Sequence, residues 1–357
     1  MTLKIARKLY ETALETITDD LDDKHSQIVS GAKKLSFSKF LKDFRNWDLQ
    51  SDSGIPFQVN LYNFKSYGNF RYLKYLISKI IKFIIYRYDE IDYFFDDISI
   101  IKLLDGFDIL EQCPVHKSPG NNLAFFIKKN VSANVRWLRY IYFTNVVRNY
   151  FMYREKPQLI MDIGSFYGGF QYVLKNIFPE SSHILVDFPH QLSRAAIFLS
   201  KAFPNCRIFS IYDQKTFEIF FRNYNEKYFD FLLLSTDFYT RFSNEFSKKN
   251  KKVDLSTNFY SLGEMPKKYF RTYLDSAILK ESKNIYFCNR YDSSPFYEKT
   301  FHESYSLIDY ILEGFNLRVN RSSGIHNYMM PVRKLFGSKK PRPISAGYFE
   351  IIQEKEI

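Results

Sequence analysis

The stretch from Leu159 to Gly169 constrains the fold of this chain more than any other part of the sequence. It begins with a short apolar run, long enough for one buried parallel strand, and Asp162 sits near the end of that run. A glycine-rich turn follows, and then apolar residues recur at helical spacing until Pro179: Phe170, Val173, Leu174, Ile177 and Phe178. This order predicts the strand, turn and helix that open a nucleotide-binding α/β sheet.

The glycine turn differs from the fingerprint of a dinucleotide site, G-x-G-x-x-G, because three bulkier residues separate Gly164 from Gly168. Asp162 would repel a phosphate, whereas it suits a ligand with a cationic ammonium. S-adenosylmethionine carries that ammonium and no phosphate. A second acid should then bind the ribose hydroxyls, and Asp187 at the end of the next apolar run supplies it. The alternatives are a Rossmann-like domain for another nucleotide and a purely structural turn.

Two later apolar runs compete for the third position in the predicted sheet. Arg207 to Tyr212 and Phe231 to Leu234 both have strand character. The acid after the true third strand would meet the adenine, so Asp213 and Asp237 are alternative candidates. The predicted cofactor-binding residues are Asp162, Gly164, Ser165, Tyr167, Gly168, Asp187, Phe188, Asp213, Asp237 and Asn258.

The remaining strands complete the predicted sheet. Val253 to Asn258 and Asn284 to Cys288 continue it, and Phe315 to Val319 with Gly347 to Ile352 look like a closing antiparallel pair. The predicted fold class is α/β, a class I methyltransferase Rossmann-like sheet that is mostly parallel, over residues 131–357. A helix is also predicted near His302 to Glu313.

The front third of the chain, residues 1–130, lacks a strand–helix alternation and is predicted to be a helical domain or lid. Helices are predicted at 2–21, at 36–41 and over much of 70–104, with an interruption around 89–97. Ser132 is predicted to cap a helix that runs to about Tyr153. Because the apolar stripes of these helices must be buried, we expect residues 1–130 to pack on the sheet domain or on a second subunit, forming a homo-oligomer, and to shape the acceptor cleft.

Composition limits the remaining classes of function. The net charge is +12, yet no RNA-binding signature accompanies it, so a nucleic-acid partner is not expected. The three cysteines form no C-x-x-C pair, and no signal peptide precedes the first helix, which indicates a cytoplasmic protein. The most apolar run, Leu76 to Tyr86, is too short to span a bilayer.

Four motifs together resemble one family. They are Asp162-Ile-Gly-Ser-Phe-Tyr-Gly-Gly169, Val186-Asp-Phe-Pro189, Asn258-Phe-Tyr-Ser-Leu-Gly-Glu-Met265 and Asn289-Arg290. The chain resembles the sugar O-methyltransferases of bacterial polysaccharide and antibiotic-sugar clusters over residues 130–352. It departs from the family pattern at Asp162, at Ser165 and Phe166, and at Phe188. The resemblance implies S-adenosylmethionine as methyl donor and a sugar hydroxyl as acceptor. The basic charge of the chain would suit a phosphorylated sugar.

A sugar hydroxyl is a poor nucleophile, so the chemistry asks for a base near the end of the fourth or fifth strand. Glu264 is the first candidate, and its alternative role is a capping carboxylate at a helix start. His302 and His326 are further candidates because histidine titrates near neutral pH. Acceptor-side residues are predicted at Tyr260, Ser261, Asn289 and Arg290. Asn258 and Asn289 either orient a ligand or make turn hydrogen bonds.

No metal site is predicted, because the carboxylates of residues 254–303 have no recognisable ligand spacing. Two other functions remain open. One is an RNA or protein methyltransferase, which the basic charge favours. The other is a non-catalytic methyltransferase-like scaffold in polysaccharide assembly.

Overall fold

The structure is a computed structural model that describes residues 2–15, 36–45, 86–87, 90–115, 125–128, 131–223, 229–293, 305–325, 332–335, 338–339 and 347–356. Its α-helices are α1 (Thr2–Glu15), α2 (Phe37–Arg45), α3 (Glu90–Leu103), α4 (Phe107–Gln112), α5 (Val135–Tyr150), α6 (Gly169–Ile177), α7 (Pro189–Ala202), α8 (Gln214–Asn223), α9 (Thr236–Lys248), α10 (Lys267–Leu274) and α11 (Ala277–Lys280). Short 3-10 helices lie at Ser261–Glu264 and Leu307–Tyr310.

The strands are β1 (Tyr86–Arg87), β2 (Phe125–Lys128), β3 (Val131–Ala133), β4 (Leu159–Ile163), β5 (Ser182–Asp187), β6 (Ile208–Ile211), β7 (Phe231–Ser235), β8 (Leu255–Phe259), β9 (Asn284–Arg290), β10 (Asp292–Ser293), β11 (Tyr305–Ser306), β12 (Phe315–Ser322), β13 (Val332–Leu335), β14 (Ser338–Lys339) and β15 (Tyr348–Lys355). Eight of them form one sheet in the order β12-β15-β9-β8-β4-β5-β7-β6.

The strands from β9 to β6 in this order run parallel, whereas β15 is antiparallel to β9 and β12 is antiparallel to β15. Parallel neighbours need crossover connections, and α6 to α9 supply them between β4 and β8. The predicted architecture is confirmed: the chain has an α/β fold with a sheet that is mostly parallel with antiparallel end strands, and helices precede it.

Of the two apolar runs that could be the third strand of the parallel sheet, Phe231–Ser235 takes that position, next to β5. β7 pairs directly with β5, and β6 lies outside β7 at the edge of the sheet. All residues of β7 are buried, while Ile208 and Phe209 of β6 are only partly buried. The more apolar run takes the inner position because an inner parallel strand is covered on both faces.

All six parallel strands end at one edge of the sheet, here called the carboxyl edge. The last residues of the central strands there are Ile163, Asp187, Ser235, Phe259 and Arg290. Since β15 is antiparallel, it begins at this same edge, and Tyr348 pairs with Arg290. The carboxyl edge therefore gathers residues from strands that lie far apart in the sequence, as expected for a ligand site in a parallel sheet.

The described chain separates into two compact units, Met1–Phe40 with Phe151–Ser323 and Ala346–Ile357, and Leu41–Tyr150 with Gly324–Ser345. The first helix belongs to the unit that holds the sheet, because α1 packs on α7. Ser193 Oγ donates a hydrogen bond of 2.7 Å to the Ala6 carbonyl, and the rings of Tyr10 and Phe40 stack at 4.3 Å. The boundary predicted near residue 130 stays a prediction.

The second unit contains α3, α4 and α5 and the hairpin of β2 and β3. Asn134, and not the predicted Ser132, caps α5: its Oδ1 accepts the Trp137 amide at 2.8 Å, while Ser132 lies in β3. The interruption predicted around 89–97 is wrong within the described residues. The helix α3 (Glu90–Leu103) runs through it, and Asp97 and Ile98 are buried in that helix.

The helix expected near His302 to Glu313 is replaced, in its described part, by β11 and the 3-10 helix Leu307–Tyr310. Tyr305 pairs with Ser293 in a short antiparallel ladder, which delays the helix start. Ser306 and Asp309 then form a capping box, in which each side chain accepts the backbone N–H of the other residue. Among the described helices, none is both long enough and apolar enough to traverse a bilayer.

Candidate functional site

The glycine turn after β4 depends on three left-handed backbone positions, at every second residue. Gly164 has φ +78°, Phe166 has φ +57° and Gly168 has φ +86°. The turn is held to β5 because the Gly164 amide donates to the Val186 carbonyl at 2.8 Å. Left-handed backbone is free of steric cost only for glycine, so the glycines of the motif are required by geometry. This conformation starts α6 directly at the carboxyl edge.

Asp187 fastens the turn from the neighbouring strand. One carboxylate oxygen accepts the Phe166 amide at 2.6 Å, and the other accepts the Phe188 amide at 2.7 Å. Burial raises the pKa of Asp187 to about 7, and the two backbone hydrogen bonds only partly oppose this shift. A carboxylate oxygen has two lone pairs, so each oxygen retains capacity for one more donor.

Asp162 is almost fully buried inside the sheet, and its carboxylate is held by two side chains. Oδ1 accepts the Thr257 hydroxyl at 2.7 Å, and Oδ2 accepts the Gln171 amide nitrogen at 2.5 Å. Burial raises the pKa of Asp162 to about 7, and the hydrogen bonds of Thr257 and Gln171 oppose the shift. The two aspartates therefore change charge close to neutral pH in the ligand-free protein.

Two buried polar atoms at this turn have no hydrogen-bond partner among the residues that the structure describes: Ser165 Oγ and Gln171 Oε1. Both residues are at most 4% exposed. A buried polar atom without a partner costs about 1–3 kcal/mol. The predicted cofactor offers donors that match these acceptors, an ammonium at its methionine end and hydroxyls on its ribose. The residues present at the turn thus fit S-adenosylmethionine.

The ends of β4, β8 and β9 are linked by two buried amides. Asn258 Nδ2 donates to the Ile163 carbonyl at 2.6 Å and to Ser261 Oγ at 2.5 Å, and its Oδ1 accepts from Asn289 Nδ2 at 3.0 Å. Asn289 Oδ1 accepts the Gly263 amide at 3.1 Å. Both asparagines make turn hydrogen bonds, the second of the two predicted roles. They hold the loop after β8 against the glycine turn.

Tyr260 has a strained backbone at the end of β8. Its φ of +72° and ψ of −37° are unusual for an aromatic residue, and strain of this kind costs on the order of 1–3 kcal/mol. The Tyr260 amide donates to the Cys288 carbonyl at 2.9 Å, and its ring meets the Tyr348 ring edge to face at 5.2 Å. Arg290 Nε donates to the Tyr348 hydroxyl at 3.2 Å. Tyr260 and Arg290 therefore share one cluster at the carboxyl edge.

The two aspartates that competed for the adenine occupy different places. Asp213 follows the edge strand β6 and caps α8, since its Oδ1 accepts the Thr216 amide at 2.7 Å. Asp237 lies in the first turn of α9, two residues after Ser235, which pairs with Asp187. Burial raises the pKa of Asp237. Asp237 thus follows the strand that pairs with β5, whereas Asp213 follows the edge strand.

The other predicted residues divide into three groups. Phe188 follows Asp187 and stacks on His190 at 5.8 Å, whereas Tyr167 is fully buried and its ring packs against Phe198. Glu264 ends the 3-10 helix after β8 and is partly buried. His302 and His326 lie outside the described residues.

Sequence reasoning missed several polar residues that the fold brings to this edge. Gln171 and Thr257 hold Asp162, yet they carry no motif. Glu350 is fully buried between two core residues, Phe349 and Ile351. A charge inside the apolar run Gly347 to Ile352 was the available signal. Within the described ranges, no three histidine, cysteine or acidic residues group as metal ligands.

Comparison with known proteins gives structural matches alone. No family model matches the chain, and no curated protein matches it. An O-methyltransferase family protein from Burkholderia thailandensis is 10% identical, with a TM-score of 0.34 over 60% of this chain and 55% of that one. The chain thus spans about half the length of that protein.

Two other solved methyltransferases are similar at the same level. The plantazolicin methyltransferase BpumL, solved in complex with a desmethyl analogue and SAH, is 14% identical, with a TM-score of 0.36 over 62% of this chain and 85% of that chain. Human N-acetylserotonin methyltransferase, in complex with SAM, is 12% identical, with a TM-score of 0.28 over 62% of this chain and 56% of that chain. These values are too low to bear on substrate or mechanism.

Proposed function

We propose that this chain is an S-adenosylmethionine-dependent O-methyltransferase that acts on a sugar hydroxyl of a bacterial surface glycan or of its nucleotide- or phosphate-activated precursor. The observation that carries the proposal is the glycine turn held by Asp187, where Ser165 Oγ and Gln171 Oε1 are buried and have no hydrogen-bond partner among the described residues. Asp187 would accept the ribose hydroxyls. Asp162, Ser165 and Gln171 would hold the methionine end, and Asp237, which follows the strand beside β5, would meet the adenine.

When bound, S-adenosylmethionine supplies an electrophilic methyl group on a sulfonium. The contribution of the chain is alignment, which can be worth on the order of 7–11 kcal/mol. Tyr260, at the end of β8, and Glu264, four residues later, are the proposed acceptor-side groups. His302 and His326 stay predicted bases, since they lie outside the described residues. The sugar acceptor is supported by the motif resemblance and by the ring and guanidinium cluster of Tyr260, Tyr348 and Arg290.

The decisive experiment is calorimetry with S-adenosylhomocysteine followed by methyl-transfer assays with radiolabelled S-adenosylmethionine. The acceptors are a panel of nucleotide-sugars and methyl glycosides, total RNA, and a mixed protein fraction. Binding with transfer to a sugar supports the proposal. Binding with transfer only to RNA or protein, or with no transfer at all, replaces it by one of the two alternatives. No binding removes the cofactor as well.

The affinity for S-adenosylhomocysteine should rise with pH between 6 and 7.5, by about tenfold for each carboxylate that must ionise. The reason is that burial raises the pKa of both Asp162 and Asp187 to about 7, so both are largely protonated at pH 6 in the free protein. Calorimetry at four pH values measures this. The range stops at 7.5 because an α-amino group itself titrates near about 8.

The melting temperature of the free protein should fall as pH rises, whereas the affinity for the ligand rises. Because the folded pKa values lie above the ordinary value of 3.8, the stability they contribute is complete below about pH 4 and is lost as pH rises through 7. An affinity that is flat over this pH range would show that neither carboxylate titrates near neutrality, or that neither contacts the ligand.

Replacing Tyr260 by glycine should remove backbone strain and raise the free energy of unfolding by about 1 kcal/mol, while methyl transfer falls by at least tenfold. The physical reason is that glycine adopts φ +72° freely but supplies no ring beside Tyr348. Urea denaturation and turnover of the accepted sugar measure the two effects. Tyr260→Phe is the matched control that keeps the ring and the strain. A Tyr260→Gly protein that is less stable and equally active would contradict both parts.

A further inference from the structure

Glu350 occupies a row of residues that crosses four strands at the carboxyl edge. Phe259 of β8 pairs with Cys288 of β9, Cys288 pairs with Glu350 of β15, and Glu350 pairs with Arg321 of β12. The Tyr260 amide also bonds to the Cys288 carbonyl. Glu350 is therefore two strands away from the end of β8, at the same height in the sheet.

The Glu350 carboxylate is satisfied on one side only. Its Oε2 accepts Nε and Nη2 of Arg321 at 3.2 and 3.1 Å. Within the described part of the chain its Oε1 has no hydrogen-bond partner, although Glu350 is 0% exposed. A buried charged group with an open acceptor is costly, and buried carboxylates are normally paired completely. An apolar residue at this position of an inner strand would avoid that cost. The open acceptor therefore indicates that a ligand donates to it.

The surroundings of Glu350 belong to the proposed acceptor side. Side chains alternate between faces along a strand, so Tyr348 lies on the same face as Glu350, opposite to the core residues Phe349 and Ile351. Tyr348 contacts the Tyr260 ring and accepts a hydrogen bond from Arg290. The open carboxylate oxygen and these two rings thus lie on the same face of the sheet, at its carboxyl edge.

The charges select the chemical class of the ligand group. Arg321 already compensates the Glu350 charge, and Arg290 adds a second cation to the same face, with its guanidinium carbon 6.0 Å from the Tyr348 ring centre. An ammonium would be repelled by these two guanidinium groups. A neutral hydroxyl can donate to Oε1 without that repulsion, and aromatic rings suit the apolar face of a sugar.

We propose that Glu350 Oε1 binds a second hydroxyl of the acceptor sugar, next to the one that is methylated, and that this contact selects hydroxylated over amino sugars. The proposal rests on the proposed function, because it assumes that the methyl acceptor is a sugar. Glu350 acts here as a binding residue, and the proton of the reacting hydroxyl is left to another group.

The test compares Glu350→Gln with Glu354→Gln. Glu354 is a matched control because it lies on the same face of β15 and forms an ion pair with Arg318 of β12, but four residues farther from the carboxyl edge. The probes are methyl glycosides and nucleotide-sugars, each hexose with its 2-amino-2-deoxy and 2-deoxy analogue. Methyl transfer, S-adenosylhomocysteine calorimetry and thermal unfolding are measured on every protein.

For the wild type we expect the hydroxylated sugar to be methylated in preference to its amino or deoxy analogue. Glu350→Gln should raise KM for that sugar about tenfold, with kcat within threefold and S-adenosylhomocysteine affinity within twofold. The ratio of kcat/KM between the hydroxylated sugar and its amino or deoxy analogue should fall accordingly. Glu354→Gln should change none of these. Melting temperatures close to wild type for both variants would exclude a merely structural role.

The inference is overturned by an unchanged KM in Glu350→Gln, by a loss of kcat with KM kept, or by preferred methylation of the amino sugar. It is also overturned if KM changes only together with a lower melting temperature. If the wild type binds S-adenosylhomocysteine but methylates no sugar of the panel, the sugar acceptor and the role of Glu350 both fail. If it binds no S-adenosylhomocysteine, the proposed function itself fails.

Discussion

Replacement of Asp187 by asparagine is expected to weaken the binding of S-adenosylhomocysteine by about 10²-fold or more. The loss comprises two charge-assisted hydrogen bonds to the ribose, each worth about 1.5–3 kcal/mol. The variant also places an amide nitrogen against the Phe166 or the Phe188 N–H, both of which donate to Asp187 in the native turn. Isothermal titration calorimetry on the folded variant gives the change in dissociation constant.

Asp254 offers a matched control for this substitution. Its Oδ2 also accepts two backbone amides, those of Gln158 and Leu159 at 2.9 Å each. It precedes β8 and therefore lies at the opposite edge of the sheet from Asp187. Asp254→Asn should lower the melting temperature and leave the dissociation constant within twofold. Equal affinity in wild type and Asp187→Asn would remove Asp187 from the proposed cofactor site.

Replacement of Gly164 by alanine should lower the free energy of unfolding by about 3 kcal/mol or more. A Cβ at this position would lie 2.0 Å from Ser261 Oγ, and the backbone has φ +78°. Left-handed backbone costs alanine about 1–2 kcal/mol, and overpacking adds typically about 1–3 kcal/mol. Ser261 cannot move freely, since its hydroxyl bonds to Asn258 and to the Ile163 carbonyl. Urea denaturation measures the change.

Gly314→Ala measures the backbone strain without the steric clash, so the difference between the two variants gives the steric part of the effect. Gly314 has a similar φ of +74°, but a Cβ there would meet only the Lys355 Nζ at 3.4 Å, the end of a flexible side chain. It should therefore cost about 1 kcal/mol, the backbone strain alone. Adding Ser261→Gly to Gly164→Ala should recover part of the lost stability. If Gly164→Ala and Gly314→Ala cost the same, the close approach of Ser261 to the glycine turn is not real.

Short-range patterns in the sequence were sufficient to predict an element where its structure depends on its own residues alone. The strand, glycine turn and helix from Leu159 to Ile177 follow from an apolar run, left-handed glycines and helical periodicity. The closing antiparallel pair, β12 and β15, likewise follows from its two apolar runs. Predictions failed where a distant contact decides, as at Ser132, which joins a strand while Asn134 caps the helix.

The chemistry of the candidate site shows the same division. The acids Asp162 and Asp187 could be chosen from the sequence because they end or interrupt apolar runs beside a glycine turn. Their pKa values near 7 could not, because these depend on complete burial and on Thr257 and Gln171, which the fold brings to Asp162. The state of Glu350 could not be read from the sequence either, because the partner of its Oε2 is Arg321, which lies on a different strand, β12.

The sequence by itself determined the order of strands and helices, the glycine turn and the two acids at the ends of neighbouring strands. It did so because hydrophobic period and glycine backbone freedom act over a few residues. The tertiary structure alone decided that β7 rather than β6 lies beside β5, and hence that Asp237, and not Asp213, follows the strand next to Asp187. Strand order is a competition for the most buried position, and only the assembled sheet shows which run occupies it.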